Sequence, residues 1–223
     1  MDSETMKKRN VVGPSFRNRV TGVLSVCGLI ACTGSVQAHH PMGGAAPETA
    51  VQGMVSGLAH PVIGMDHLIF LVVAGVLLAG QGVARRIQAG LLLVVASGLG
   101  TMLHLRGVTL PLGEVLTAGT VVVAGVLLAV GRSRGAGLAG FLALAGVLHG
   151  YAFGEAVIGS ESGPVVSYLA GLGAMELLIV IGASVVWNWS GAKSGGVVRP
   201  RWMEGGAGMA AALAGLFMML AAA

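Results

Sequence analysis

Beyond residue 50 the chain alternates long apolar runs with short polar breaks, and the runs fall near residues 58–80, 87–105, 112–131, 136–153, 164–187 and 205–223. Each is close to the roughly 20 residues that a helix needs to cross a bilayer. The breaks QGVARR, RGVTLP, RSRG and GEAVIGSESG are so short that consecutive helices must be antiparallel neighbours. The pattern predicts an all-α membrane protein, a polytopic bundle of about six transmembrane helices spanning residues 51–223.

A different pattern precedes the bundle. Lys7, Lys8, Arg9, Arg17 and Arg19 lead into the apolar stretch VTGVLSVCGLIA and a small-residue exit at Val36-Gln37-Ala38. This reads as a signal peptide over residues 1–38, and cleavage after Ala38 would place His39 and His40 at the new N-terminus. Leu29-Ile30-Ala31-Cys32 offers a second reading, a lipoprotein signal with Cys32 acylated, and an uncleaved anchor is the third. Residues 39–50 form a short polar segment outside the membrane.

Composition narrows the class. Apolar residues make up 55% of the 223 and charged residues 10%, against about 25% charged in ordinary globular domains. A large soluble domain, a disordered chain and a disulfide scaffold are excluded, the two cysteines both lying at Cys27 and Cys32. The net charge of +4 does not mark a nucleic-acid binder, because the basic residues are scattered among the breaks. Arg85, Arg86, Arg132, Arg134, Lys193, Arg199 and Arg201 fall in alternate breaks and only Arg106 in the others. The positive-inside rule then puts the mature N-terminus outside the cytoplasmic membrane, with Trp187, Trp189 and Trp202 near the inner headgroups.

Ionisable side chains in hydrocarbon cost roughly 2.5–3.5 kcal/mol each on insertion scales and usually face a cavity or a partner. With this topology His60, Asp66, His67, His104, Glu114, His149 and Glu155 share the outer layer, and Glu176 sits deeper in the fifth run. His60 and His67 are seven residues apart, about 10.5 Å on a continuous helix, too far for one ion to bridge. Pro61, read as a first-turn residue that keeps His60 extended, and Gly64 allow a broken entry helix that brings His60, Asp66 and His67 together. Imidazole nitrogen with carboxylate oxygen suits divalent nickel, cobalt, copper or zinc. Asp66 serves either as a ligand or as the group that orients an imidazole. His104 and Glu114 read equally as an interfacial side chain and a helix N-terminal charge, Glu161 as a loop charge. Gly146, Gly150 and Gly154, at four-residue spacing, predict close helix packing.

The octet His60-Pro61-Val62-Ile63-Gly64-Met65-Asp66-His67 resembles the H-P-x-x-G-x-D-H signature of the HupE/UreJ family of hydrogenase and urease accessory membrane proteins. The likeness continues through Leu68-Ile69-Phe70 and His149-Gly150-Tyr151-Ala152. Many members extend the second motif as H-G-x-A-H-G-x-E, whereas here Phe153 replaces the second histidine and Glu155 comes one residue early. The resemblance implies a nickel permease, in some members a cobalt permease, with His60, Asp66, His67, His149 and Glu155 as metal-contacting residues. His39, His40, His104 and Glu176 are secondary candidates. No phosphate-binding loop occurs in the sequence. The expected protein is therefore a carrier without catalytic activity or a fixed cofactor, with Ni²⁺ or Co²⁺ as substrate, the bilayer as its surroundings and hydrogenase or urease maturation proteins as partners. The rival reading is a membrane redox protein whose histidines ligate haem.

Overall fold

The computed structural model describes residues 45–131, 135–192 and 201–223. The expected signal peptide, Cys32, His39, His40 and the basic residues Arg132, Arg134, Lys193 and Arg199 lie outside them. The described chain is helical: α1 (Ala50–Ile63), α2 (Met65–Leu78), α3 (Val83–Leu105), α4 (Gly113–Ala129), α5 (Ala136–Gly154), a single 3-10 turn (Glu155–Val157), α6 (Ser162–Ala192) and α7 (Arg201–Ala221). Among the described residues four helices are long and apolar enough to cross a membrane, and α1–α2 makes a fifth if the bent pair is one span. Helix α4 has 17 residues, about 25 Å at 1.5 Å per residue, slightly short of the roughly 30 Å hydrocarbon core.

The first apolar run differs from a single helix in both its start and its interior. Helix α1 begins eight residues before the expected 58 because Thr49 and Gln52 form a capping box: Thr49 Oγ1 accepts from the Gln52 amide and Gln52 Oε1 from the Thr49 amide. It ends at Gly64, where the backbone is extended (φ −74°, ψ 107°) and the axis turns by 76° into α2. Pro61 therefore lies in the last turn of α1, and His60 is helical. This corrects the first-turn, extended reading: in the last turn the donor that proline lacks removes the ladder bond to the Gly57 carbonyl, and the helix stops two residues later. The Gly64 amide bonds the His60 carbonyl at 3.1 Å, and the Gly64 carbonyl receives the Leu68 amide at 2.9 Å.

Close glycine approaches reveal which helices run together. Gly53 lies against the Pro164 backbone and Gly57 against Tyr168, so α1 and α6 run parallel. Gly146 faces Leu93, Gly150 faces Ser97 and Gly154 faces Thr101, so α3 and α5 are parallel too. Gly208 meets Ala129 while Gly215 meets Val122, which makes α4 and α7 antiparallel. A Cβ on Gly150 would overlap the Ser97 carbonyl; small residues here replace a hydrophobic drive that lipid does not supply. Helix α2 is the centre of the bundle. Its Phe70, Leu71, Ala74, Leu77 and Leu78 are buried against Leu93, Val121, Leu142 and Val180. The outer surface shows Val95, Leu99, Leu144, Val166, Leu178 and Phe217, an apolar exterior far larger than a water-soluble monomer displays.

Candidate metal centre

The bend at Gly64 brings His60 and His67 into edge contact, ring centroids 5.8 Å apart. Gly64 is needed for the approach rather than for its backbone angles, since a Cβ there would lie 2.5 Å from His67 Cδ2. His60, Asp66 and His67 line a cavity of about 40 Å³ with Glu114, Thr117 and Glu155, several times the 10–15 Å³ that one water needs. Glu114 and Glu155 are exposed at the rim, whereas the imidazoles are buried at the base. Asp66 Oδ2 stands 3.8 Å from His67 Nδ1. Asp66, Glu114 and Glu155 put three carboxyl groups on one small cavity, and clefts lined by one sign of charge favour ions of the other.

Beneath the cavity, hydrogen bonds set which nitrogen of each neutral imidazole carries its proton. Thr120 Oγ1 donates to the Thr117 carbonyl at 2.7 Å, so it must accept from His149 Nε2 at 2.8 Å. His149 Nδ1 is then an acceptor and receives the proton of His67 Nδ1 at 2.6 Å. That leaves Nε2 as the lone-pair nitrogen of His67. The same logic holds on the other side: Tyr168 donates to the Phe153 carbonyl at 2.9 Å and accepts from His60 Nδ1 at 2.8 Å. His60 likewise presents Nε2 as its lone-pair nitrogen. Orienting bonds on the non-ligating nitrogen are what metal-binding imidazoles ordinarily possess.

The remaining candidates separate by position. His149 lies under His67, its ring stacked on Phe70 at 4.3 Å. Glu155 follows α5 in the 3-10 turn, where its carboxylate reaches the rim. His104 stands outside the cavity lining, its Nδ1 2.7 Å from the Tyr151 carbonyl, and Glu161 is exposed in the loop before α6. Glu176 is buried deeper in α6. Phe153 packs against His67 at 4.1 Å and His60 at 5.0 Å, filling with a ring the place where the motif's second histidine would stand. Among the described residues no three His, Cys, Asp or Glu side chains converge at metal-holding spacing; His67 and His149 are engaged with each other instead. Edge contact between His60 and His67 also leaves no room for a macrocycle between them, as axial haem ligation by this pair requires.

Sequence reasoning missed Thr120 and Tyr168, and it placed Glu114 in the outer polar layer without choosing between a functional role and a helix-terminal charge. A signal for the first was present, because Thr117 and Thr120 lie three apart in an apolar run and so share a helix face. Tyr168 gave none: its partner His60 is 108 residues away.

A family model described as HupE / UreJ protein matches residues 27–218. A search of curated proteins and a search of solved structures each found no match.

Proposed function

We propose that this chain, which belongs to the HupE/UreJ family, is a secondary transporter that admits a divalent transition metal ion, Ni²⁺ first and Co²⁺ by the same donors, for metalloenzyme assembly such as that of hydrogenase or urease. The observation that carries the reading is the bend at Gly64, which gathers His60, Asp66 and His67 at the base of a carboxylate-rimmed cavity. In this reading Glu114 and Glu155 draw the hydrated ion to the mouth. His60 and His67 offer Nε2 atoms, and Asp66 offsets the charge as water is shed. His149 and Thr120 hold His67 in its ligating tautomer.

The chain is taken to cross the cytoplasmic membrane six times, with α1–α2 as one broken span and the mature N-terminus outside. Two features support this. The parallel pairs α1–α2/α6 and α3/α5 and the antiparallel pair α4/α7 are the directions that six alternating crossings produce. Broken helices are found in membranes where non-helical backbone is buried in protein or lines a cavity, and Gly64 is buried between His60 and Asp66, which line one. On this reading the chain does not hydrolyse ATP unaided, its sequence having no phosphate-binding loop, and it acts as a secondary or passive carrier or as a subunit.

The test is uptake of radioactive nickel at submicromolar concentration by proteoliposomes holding the purified protein, with cobalt as competitor. Saturable uptake that His67→Ala removes is the expected result. Vesicles with the protein no more permeable to nickel than empty ones would refute the reading.

A further inference from the structure

Helix α6 presents one unbroken buried stripe to the bundle: Tyr168, Leu172, Glu176, Val180 and Ser184, each at most 1% exposed. Spacing of four keeps successive members neighbours, in a stripe that winds slowly around the helix. Tyr168, at the outer end, holds His60. Glu176 lies eight residues further in, about 12 Å along the axis, and is 1% exposed. Ser97 of α3, itself fully buried, is close enough for side-chain hydrogen bonding with Glu176, but the Ser97 Oγ and both carboxyl oxygens have no partner in good hydrogen-bonding geometry among the described residues. The Glu176 carboxyl is also close enough to Tyr168 to act on it electrostatically.

Three oxygens on two packed helices that share no well-formed hydrogen bond are costly in hydrocarbon. A buried polar group without a partner costs about 1–3 kcal/mol, and a buried carboxylate more unless a cation accompanies it. Packing does not require the acid, since the stripe's neighbours Leu172 and Val180 show that apolar side chains fill that face. All three atoms are oxygens that accept from, or coordinate, a cation. Helical side chains lean toward the N-terminus, which on α6 is toward the imidazole layer.

Resting on the permease reading above, we infer that Glu176 and Ser97 form a second, inner oxygen site that receives the divalent ion after it leaves His60 and His67. The outer site selects with nitrogen donors, and the inner one accepts the ion through a carboxylate and a hydroxyl. Harder donors hold nickel or cobalt less firmly than imidazoles do, as passage inward requires.

The test compares Glu176→Gln, Glu176→Asp and Ser97→Ala with the parent protein. Equilibrium Ni²⁺ binding in detergent is measured beside Ni²⁺ uptake into proteoliposomes. The glutamine keeps the shape and is cheaper to bury, so it folds. It should retain outer-site affinity within about twofold while uptake falls at least tenfold. Aspartate should restore part of the uptake, and Ser97→Ala should slow it severalfold. Uptake by Glu176→Gln equal to that of the parent overturns the inner site. So does equal loss of outer-site binding and uptake, which would make the carboxyl a support for the imidazoles. If Glu176→Gln failed to accumulate, Ser97→Ala alone decides between the same outcomes. Absence of uptake by the parent protein refutes the transport reading instead.

Discussion

Replacing Thr120 by valine removes one oxygen that sets the protonation pattern of a ligand two residues away in the hydrogen-bond chain. Valine keeps the branched shape, so α4 retains its packing while His149 Nε2 loses the acceptor at 2.8 Å. A buried N–H left without a partner costs about 1–3 kcal/mol, a factor of about 5 to 150 in an equilibrium. His149 escapes the cost by moving its proton to Nδ1 and donating to His67 Nδ1, reversing the 2.6 Å bond. His67 must then carry its proton on Nε2, the nitrogen assigned to the metal. Nickel affinity should therefore fall by about the same 5- to 150-fold, because binding now includes reversal of the chain. Thr120→Ser, which keeps the oxygen, should bind within about twofold of the parent. Titration calorimetry with Ni²⁺ measures the affinities, and imidazole ¹⁵N shifts report the tautomers. Unchanged nickel affinity in Thr120→Val, with His67 Nε2 still unprotonated, would refute the relay.

Three further outcomes follow from the same geometry. Asp66→Asn should reach the membrane at parental abundance yet accumulate no nickel, since the amide keeps the size and removes the charge beside His67; normal accumulation removes Asp66 from the mechanism. Gly64→Ala puts a methyl against the His67 ring and should weaken Ni²⁺ binding more than tenfold with little change in thermal midpoint, whereas equal binding would show that the ring moves aside at no cost. Gly150→Val forces α5 away from the Ser97 backbone; overpacking of about 1–3 kcal/mol or more should lower the thermal midpoint by several degrees, and an unchanged midpoint would contradict the packed α3–α5 seam.

Part of the site was legible because its signals are local. The octet from His60 to His67 holds two imidazoles, a carboxylate and the glycine that bends the chain between them, and all act within two helical turns. The bend corrected one detail, placing Pro61 at the end of α1 instead of its beginning, since capping at Thr49 lies outside that motif. Thr120 and Tyr168 were hidden for the opposite reason. Their value depends on partners brought from other helices, and a threonine in an apolar run looks the same whether it holds an imidazole or its own backbone.

The amino-acid sequence by itself determined that the chain is helical, that its helices match a bilayer and that polar groups gather toward one end. Burial of apolar surface and hydrogen bonding within each helix act residue by residue, so their periodicity can be read along one dimension. Tertiary structure decided which faces meet. Gly150 lies against a neighbouring backbone while Gly98, Gly137, Gly140 and Gly182 meet nothing, although all are glycines in apolar helices. Only the seating of α5 on α3 and α2 brings His149 to within 2.6 Å of His67, 82 residues away. That contact selects a tautomer, and a tautomer belongs to a network in three dimensions, not to any residue in the chain.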